Sequence, residues 1–112
     1  MNKFAATFST GQTITRNSYN AYAFAWAVIR IADGHIDDKG FSADRANAAK
    51  AAQAKRWTGP SARDRKHPGI RRDWAKIAKQ QGFANVDALV AHWDAEIAEH
   101  NAQRRIEIVA VA

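Results

Sequence analysis

The sequence predicts an α+β fold: a small antiparallel sheet, an N-terminal hairpin plus a C-terminal strand, packed with about four helices. Three observations predict it. Apolar and polar residues alternate at both ends of the chain, as in half-buried strands. The middle carries apolar residues at helical spacing between cap and stop signals. The composition is globular, with 46% hydrophobic and 25% charged residues and four Trp. A chain of 112 residues is expected to form a single domain, 1–112. At that size folding buries roughly 60–70% of the unfolded chain's surface, enough for one modest core and little internal cavity.

Each element has its own local reason. In residues 3–16, KFAATFSTGQTITR, Phe4, Ala6 and Phe8 share one face and Ile14 continues it. Ser9-Thr10-Gly11-Gln12 supplies turn chemistry, so a β-hairpin is expected. Residues 17–34, NSYNAYAFAWAVIRIADG, read as a helix that Ser18 or Asn20 caps and Gly34 ends. Tyr22, Trp26 and Ile29 form one stripe, and Phe24, Val28 and Ile31 a neighbouring one, which marks a buried central helix. Residues 35–41, HIDDKGF, read as a loop. Its Asp37-Asp38-Lys39-Gly40 run lacks the alternating oxygen ligands and closing Glu of a calcium loop.

Residues 42–57, SADRANAAKAAQAKRW, open with Ser42 as N-cap and are rich in the best helix former. So many Ala give almost no apolar stripe. The helix is expected either to press closely on a neighbour or to lie exposed. Residues 55–74, KRWTGPSARDRKHPGIRRDW, hold both prolines and read as a connector as far as Pro68, which suits a first helical turn. From there Ile70, Trp74, Ile77, Ala78 and Gln81 share a face and Gly82 is the stop. Asn85 or Asp87 then starts a helix with Val86, Leu89, Val90, Trp93 and Ile97 as its stripe. The ending RRIEIVAVA alternates again and is expected to pair with the N-terminal hairpin, for three strands in all.

Charge narrows the function. The net charge is +6, and residues 55–73 alone contribute +5. A local excess of this kind attracts polyanions or acidic protein faces. There is no Cys, which excludes disulfides, thiolate nucleophiles and cysteine-based zinc sites and fits a reducing cytosol. Met1-Asn2-Lys3 leads into alternating residues, so no secretory signal is expected, and no apolar run approaches a membrane span. A cytoplasmic location, within a bacterial host cell, is expected.

The candidate partner-binding residues are Lys55, Arg56, Trp57, Arg63, Arg65, Lys66, Arg71 and Arg72. The cations suit phosphate or carboxylate partners, and Trp57 suits stacking on an unpaired base. The same stretch also reads as a solvated connector. Trp74 falls on a helix stripe and is assigned to the core. The segment around Gly82 resembles a helix-turn-helix, but Ala88 stands where a branched apolar residue normally locks the two helices. The second helix is acidic as well, so an ordinary pair of helices is the better reading. His92, Glu96 and His100 share one helix face, at a spacing that a divalent metal can use, without making a closed ligand set. Ser9, Ser18, Ser42 and Ser61 each have a turn or cap role, and no nucleophile elbow or phosphate loop is present. No enzyme activity and no cofactor are expected.

Phe4 to Phe8, Thr10-Gly11-Gln12-Thr13, Arg16, Tyr22 and Trp26 carry a resemblance. The opening is similar to that of small accessory proteins of phages and mobile elements, which begin with a strand, a short Gly-containing turn, a second strand ending near an Arg, and then an aromatic- and Ala-rich helix. As a compact Cys-free chain without an evident active site, it also resembles anti-CRISPR proteins. That resemblance implies non-enzymatic inhibition of a host defence complex, a CRISPR–Cas effector, by binding that blocks nucleic-acid capture or cleavage. Such proteins share no motif, so the resemblance assigns no residue. The alternative is a small basic nucleic-acid-binding protein, a regulator or RNA-associated factor.

Overall fold

Residues 24–30, FAWAVIR, organise half of the molecule, and they do so as a strand. In the computed structural model, which describes all 112 residues, five strands and four helices follow the order β1 (Asn2–Thr7), β2 (Thr13–Ser18), β3 (Phe24–Arg30), β4 (Ile36–Ser42), α1 (Arg45–Gln53), α2 (Ala62–Lys66), α3 (Pro68–Gln81), α4 (Val86–Ala102) and β5 (Arg104–Ala110). The α+β class is as expected. The number of strands and their pairing are not.

The chain divides into two compact units. The first, residues 1–56 with 102–112, is the β-rich unit. Its β1 and β2 form the expected hairpin, Phe4 opposite Arg16 and Ala6 opposite Ile14. A second antiparallel sheet has the order β4-β3-β5. Along β3 the side chains alternate. Ala25, Ala27 and Ile29 pack with Ala6, Phe8 and Ile14 of the hairpin segment. Trp26 and Val28 pack with Ala48 and Ala52 of α1. The three-stranded sheet is thus covered on both faces. A strand covered on both faces needs no polar residue in alternation, and it then reads as a continuous apolar run.

That double cover explains the first of three corrections. The helix expected over 17–34 is the central strand β3, since a short apolar run cannot be told from a buried helix by period alone. The loop expected over 35–41 is strand β4, antiparallel to β3 with an irregularity between Val28 and Ile29. The C-terminal strand, expected beside the hairpin, pairs along its length with β3, Val28 opposite Ile106 and Trp26 opposite Ile108. Past its end, Ala112 N–H donates to Ala5 O at 3.0 Å.

The Ala-rich helix takes the close-packed option. Ala48 and Ala52 are fully buried, which lets α1 lie near the sheet. It starts later than expected: the Asp44 carboxylate, not Ser42, accepts the Asn47 N–H at 2.7 Å as the N-cap. Ser42 instead ends β4 and is buried. Ser18 accepts the Asn20 N–H at 3.0 Å, a local turn in place of a helix cap.

The second unit, residues 57–101, is helical. The connector expected before Pro68 contains the short helix α2, which Ser61 caps by accepting the Asp64 N–H at 3.1 Å. The boundaries of α3 and α4 agree with the spacing argument. Gly82 ends α3 at φ 80°, a left-handed conformation that costs a residue with Cβ energy. Asn85 accepts the Ala88 N–H at 2.8 Å and caps α4. Leu89 and Val90 are buried, and Trp74 meets Trp93 edge to face with ring centroids 5.4 Å apart.

Candidate functional site: a cationic helix face and a fixed tryptophan

The basic segment separates into cations that hold the fold and cations that do not. Arg65 belongs to the first group. Its guanidinium makes two parallel N–H bonds to the Asp94 carboxylate, each 2.7 Å, and its Nε donates to Pro60 O at 3.0 Å. This bidentate fork is the strong form of the charged hydrogen bond. Hydrogen bonding from Arg65 holds the Asp94 carboxyl below its ordinary range, and the same bond raises the Arg65 pKa. Gly59 lies against the pair, and a Cβ there would fall 2.9 Å from both Arg65 Nη2 and Asp94 Oδ1.

Arg71 is the second staple. It donates to Arg65 O at 2.9 Å and to Asp87 Oδ1 at 2.8 Å. Together Arg65 and Arg71 tie α2 and the first turn of α3 to α4. The acidic residues of α4 that argued against DNA binding are partly consumed here, since Asp87 and Asp94 are partners of arginines within the unit.

Arg63, Lys66 and Arg72 form the other group. All three are exposed, and no acidic group of the chain pairs with them. On α3, Arg72 continues into Lys76 and Lys79, also exposed. Positions four and seven residues apart share one helix face, so these three cations form a stripe. Lys76 and Lys79 do not stand out in the sequence, because the charge excess along the chain stops at residue 73. Their helical spacing from Arg72 is the signal that could have found them.

Trp57 opens the helical unit and is held in place. Its N–H donates to Asn101 Oδ1 at 3.1 Å, and Asn101 Nδ2 donates back to Trp57 O at 2.9 Å. Its ring stacks on His100, with centroids 3.4 Å apart and planes 6° from parallel. Even so, 53% of the residue is exposed, so the face away from His100 is open. His100 therefore faces Trp57 and does not complete a ligand set with His92 and Glu96, which bond each other at 2.8 Å.

Lys55 and Arg56 belong to the β-rich unit. Lys55 lies 3.9 Å from Asp38, and Arg56 is half-buried. The structure therefore gathers Trp57, Arg63, Arg65, Lys66, Arg71 and Arg72 in one unit and places Lys55 and Arg56 in the other. The charge distribution also changes when counted by unit. Seven Lys and Arg face six acidic residues in the helical unit, against ten and five in the β-rich one. Most of the net positive charge thus lies outside the helical unit, contrary to the count along the chain.

No protein-family model matches this chain, and no curated protein or solved structure is similar to it at a meaningful level.

Proposed function

We propose that this protein works by adhesion, as a non-enzymatic inhibitor in the manner of the phage and mobile-element proteins that disable a host defence complex. Its cationic α3 face would dock on an acidic surface of that complex, a CRISPR–Cas effector, and so block the capture or cleavage of nucleic acid. One observation carries the proposal. Arg72, Lys76 and Lys79 lie exposed at one-face spacing on a helix that Arg65 and Arg71 have already fixed. A helix already fixed in place loses little backbone entropy on docking, and such charges raise the association rate.

The test is affinity capture from bacterial host lysate, with and without nuclease, comparing the wild type with Arg72→Ala/Lys76→Ala/Lys79→Ala. The expected result is a nuclease-resistant protein complex that the triple variant fails to retain. An unchanged capture profile for that variant removes the α3 face from the mechanism.

A second reading, direct binding of single-stranded nucleic acid, has its own support in Trp57, whose open face is held ready by Asn101 and His100. Base stacking on such a ring contributes roughly 1–3 kcal/mol per base. On this reading a labelled oligonucleotide shifts with the protein alone. Replacing any one phosphate-binding Lys or Arg by Ala then lowers the salt slope by about 0.7. A free oligonucleotide that stays unbound at low salt excludes it.

A further inference from the structure

The β-rich unit presents a second cationic site, independent of the helical face. Every Asp and Glu of this unit has a partner inside it. Asp33 pairs with Arg30, Asp37 with Arg104 and Arg30, and Asp38 with Lys55. Asp44 caps α1, and Glu107 accepts the Ser9 N–H at 2.8 Å and pairs with Arg105. Lys39 has no acidic partner in the chain. Arg16 has none either, and its guanidinium lies 5.4 Å from the centroid of the Tyr22 ring.

Arg16 and Lys39 line one cleft. It runs between β2 and β4 as two adjoining hollows, of about 480 and about 180 Å³, that share Ile14 and Lys39. On both sides the wall is a strand edge. β2 pairs only with β1, and β4 is the outer strand of the order β4-β3-β5. An outer strand leaves a row of backbone N–H and C=O groups without ladder partners. Ile36 and Phe41 are half-buried, pack against the core that contains Ile14, and give the cleft an apolar floor. Lys39 stands opposite Ala27 and so turns to the same side of the sheet as Ile36 and Phe41.

We infer that this cleft binds an extended acidic peptide of a partner protein, added as a strand to the free edge of β4. The backbone edge supplies main-chain hydrogen bonds, which do not depend on sequence. Lys39 and Arg16 select for carboxylates at alternate positions of the guest, because alternate side chains of a strand share a face. Two carboxylates, Asp37 and Asp38, also line the larger hollow, but Asp37 is bonded to Arg104 and Asp38 lies 3.9 Å from Lys55. A peptide fits the double strand edge better than a nucleic-acid backbone, which has no donors and acceptors at strand spacing.

The experiment uses the full chain and a fluorescent peptide of about eight residues, the length of an ordinary strand, in which Glu alternates with Val. A Lys/Val peptide of the same length is the control. Anisotropy should show binding of the Glu/Val peptide that weakens with salt, and none of the Lys/Val peptide. The variant Arg16→Glu/Lys39→Glu, shown to be folded by circular dichroism, should lose affinity at least roughly tenfold, the effect of removing charged groups that face a partner in this way. In the wild type, hydrogen exchange should slow at residues 36–41 when the Glu/Val peptide is added. Three results overturn the proposal: no binding of the Glu/Val peptide, equal binding of the two peptides, or protection at α3 in place of β4. An oligonucleotide probe that protects residues 36–41 while the peptide does not would assign the cleft to nucleic acid and equally overturn it.

Discussion

Gly40 shows how one residue can permit a close approach between two strands. It stands opposite Trp26 in the β3–β4 ladder. A Cβ at this position would lie 2.7 Å from the Trp26 indole, so the ring rests directly on the β4 backbone and is 5% exposed. Gly in a strand commonly marks such an approach. Gly40→Ala should therefore destabilise the protein by about 1–3 kcal/mol, the range for overpacking a filled core. Urea unfolding followed by Trp fluorescence measures this, and an unchanged midpoint would refute the packing of Trp26 on Gly40. From sequence, Gly40 reads as part of a loop. Its role depends on Trp26, fourteen residues away, and no local pattern links the two. Arg65 and Arg71 teach the same lesson. They read as free cations because their partners, Asp94 and Asp87, lie on another helix.

At the scale of the element, α1 is the clearest test of packing against propensity. Its Ala content alone predicts a helix, and that much was legible. Which Ala residues matter was not. Ala48 and Ala52, at i and i+4, are fully buried against Trp26 and Val28, whereas Ala46 faces solvent. Ala48→Leu should cost about 1–3 kcal/mol because the added side chain has no room beside the sheet. Ala46→Leu should stay within about 0.5 kcal/mol of the wild type, as exposed substitutions usually do. Thermal or denaturant unfolding of the two variants measures the difference. Equal effects would mean that α1 does not press on β3. The helices α3 and α4 were readable with their ends because each shows one polar face and carries its own stop or cap, Gly82 and Asn85.

For the whole molecule, carboxylates in ion pairs set the response to acid. Hydrogen bonding from Arg104, aided by its charge and that of Arg30, holds Asp37 below its ordinary range. Arg65 does the same for Asp94. Burial pushes Glu107 up, but hydrogen bonds from Ser9 and Arg105 outweigh it and leave the group lowered. Each of these groups has a folded pKa below its unfolded one. Each therefore contributes stability above the unfolded carboxylate pKa, about 4. That stability is lost as pH falls through the lowered folded values, where the pairs become protonated. The melting temperature should drop as pH falls below about 4, and Asp37→Asn should flatten that drop while lowering stability at neutral pH. A melting temperature that does not change with pH over this range would contradict the pairing.

The sequence by itself determined whatever is decided locally. Alternation of apolar and polar residues marked the hairpin and the start of the last strand, caps and stops marked α3 and α4, and Ala content marked α1. Only the tertiary structure decided that residues 24–30 are a strand, that β5 pairs with β3, and which arginines remain available to a partner. The reason is physical. Periodicity shows in a sequence only when one side of an element meets solvent, and β3, covered by the hairpin on one face and α1 on the other, has no such side. A charge, likewise, is free or taken according to residues that only the fold brings near it.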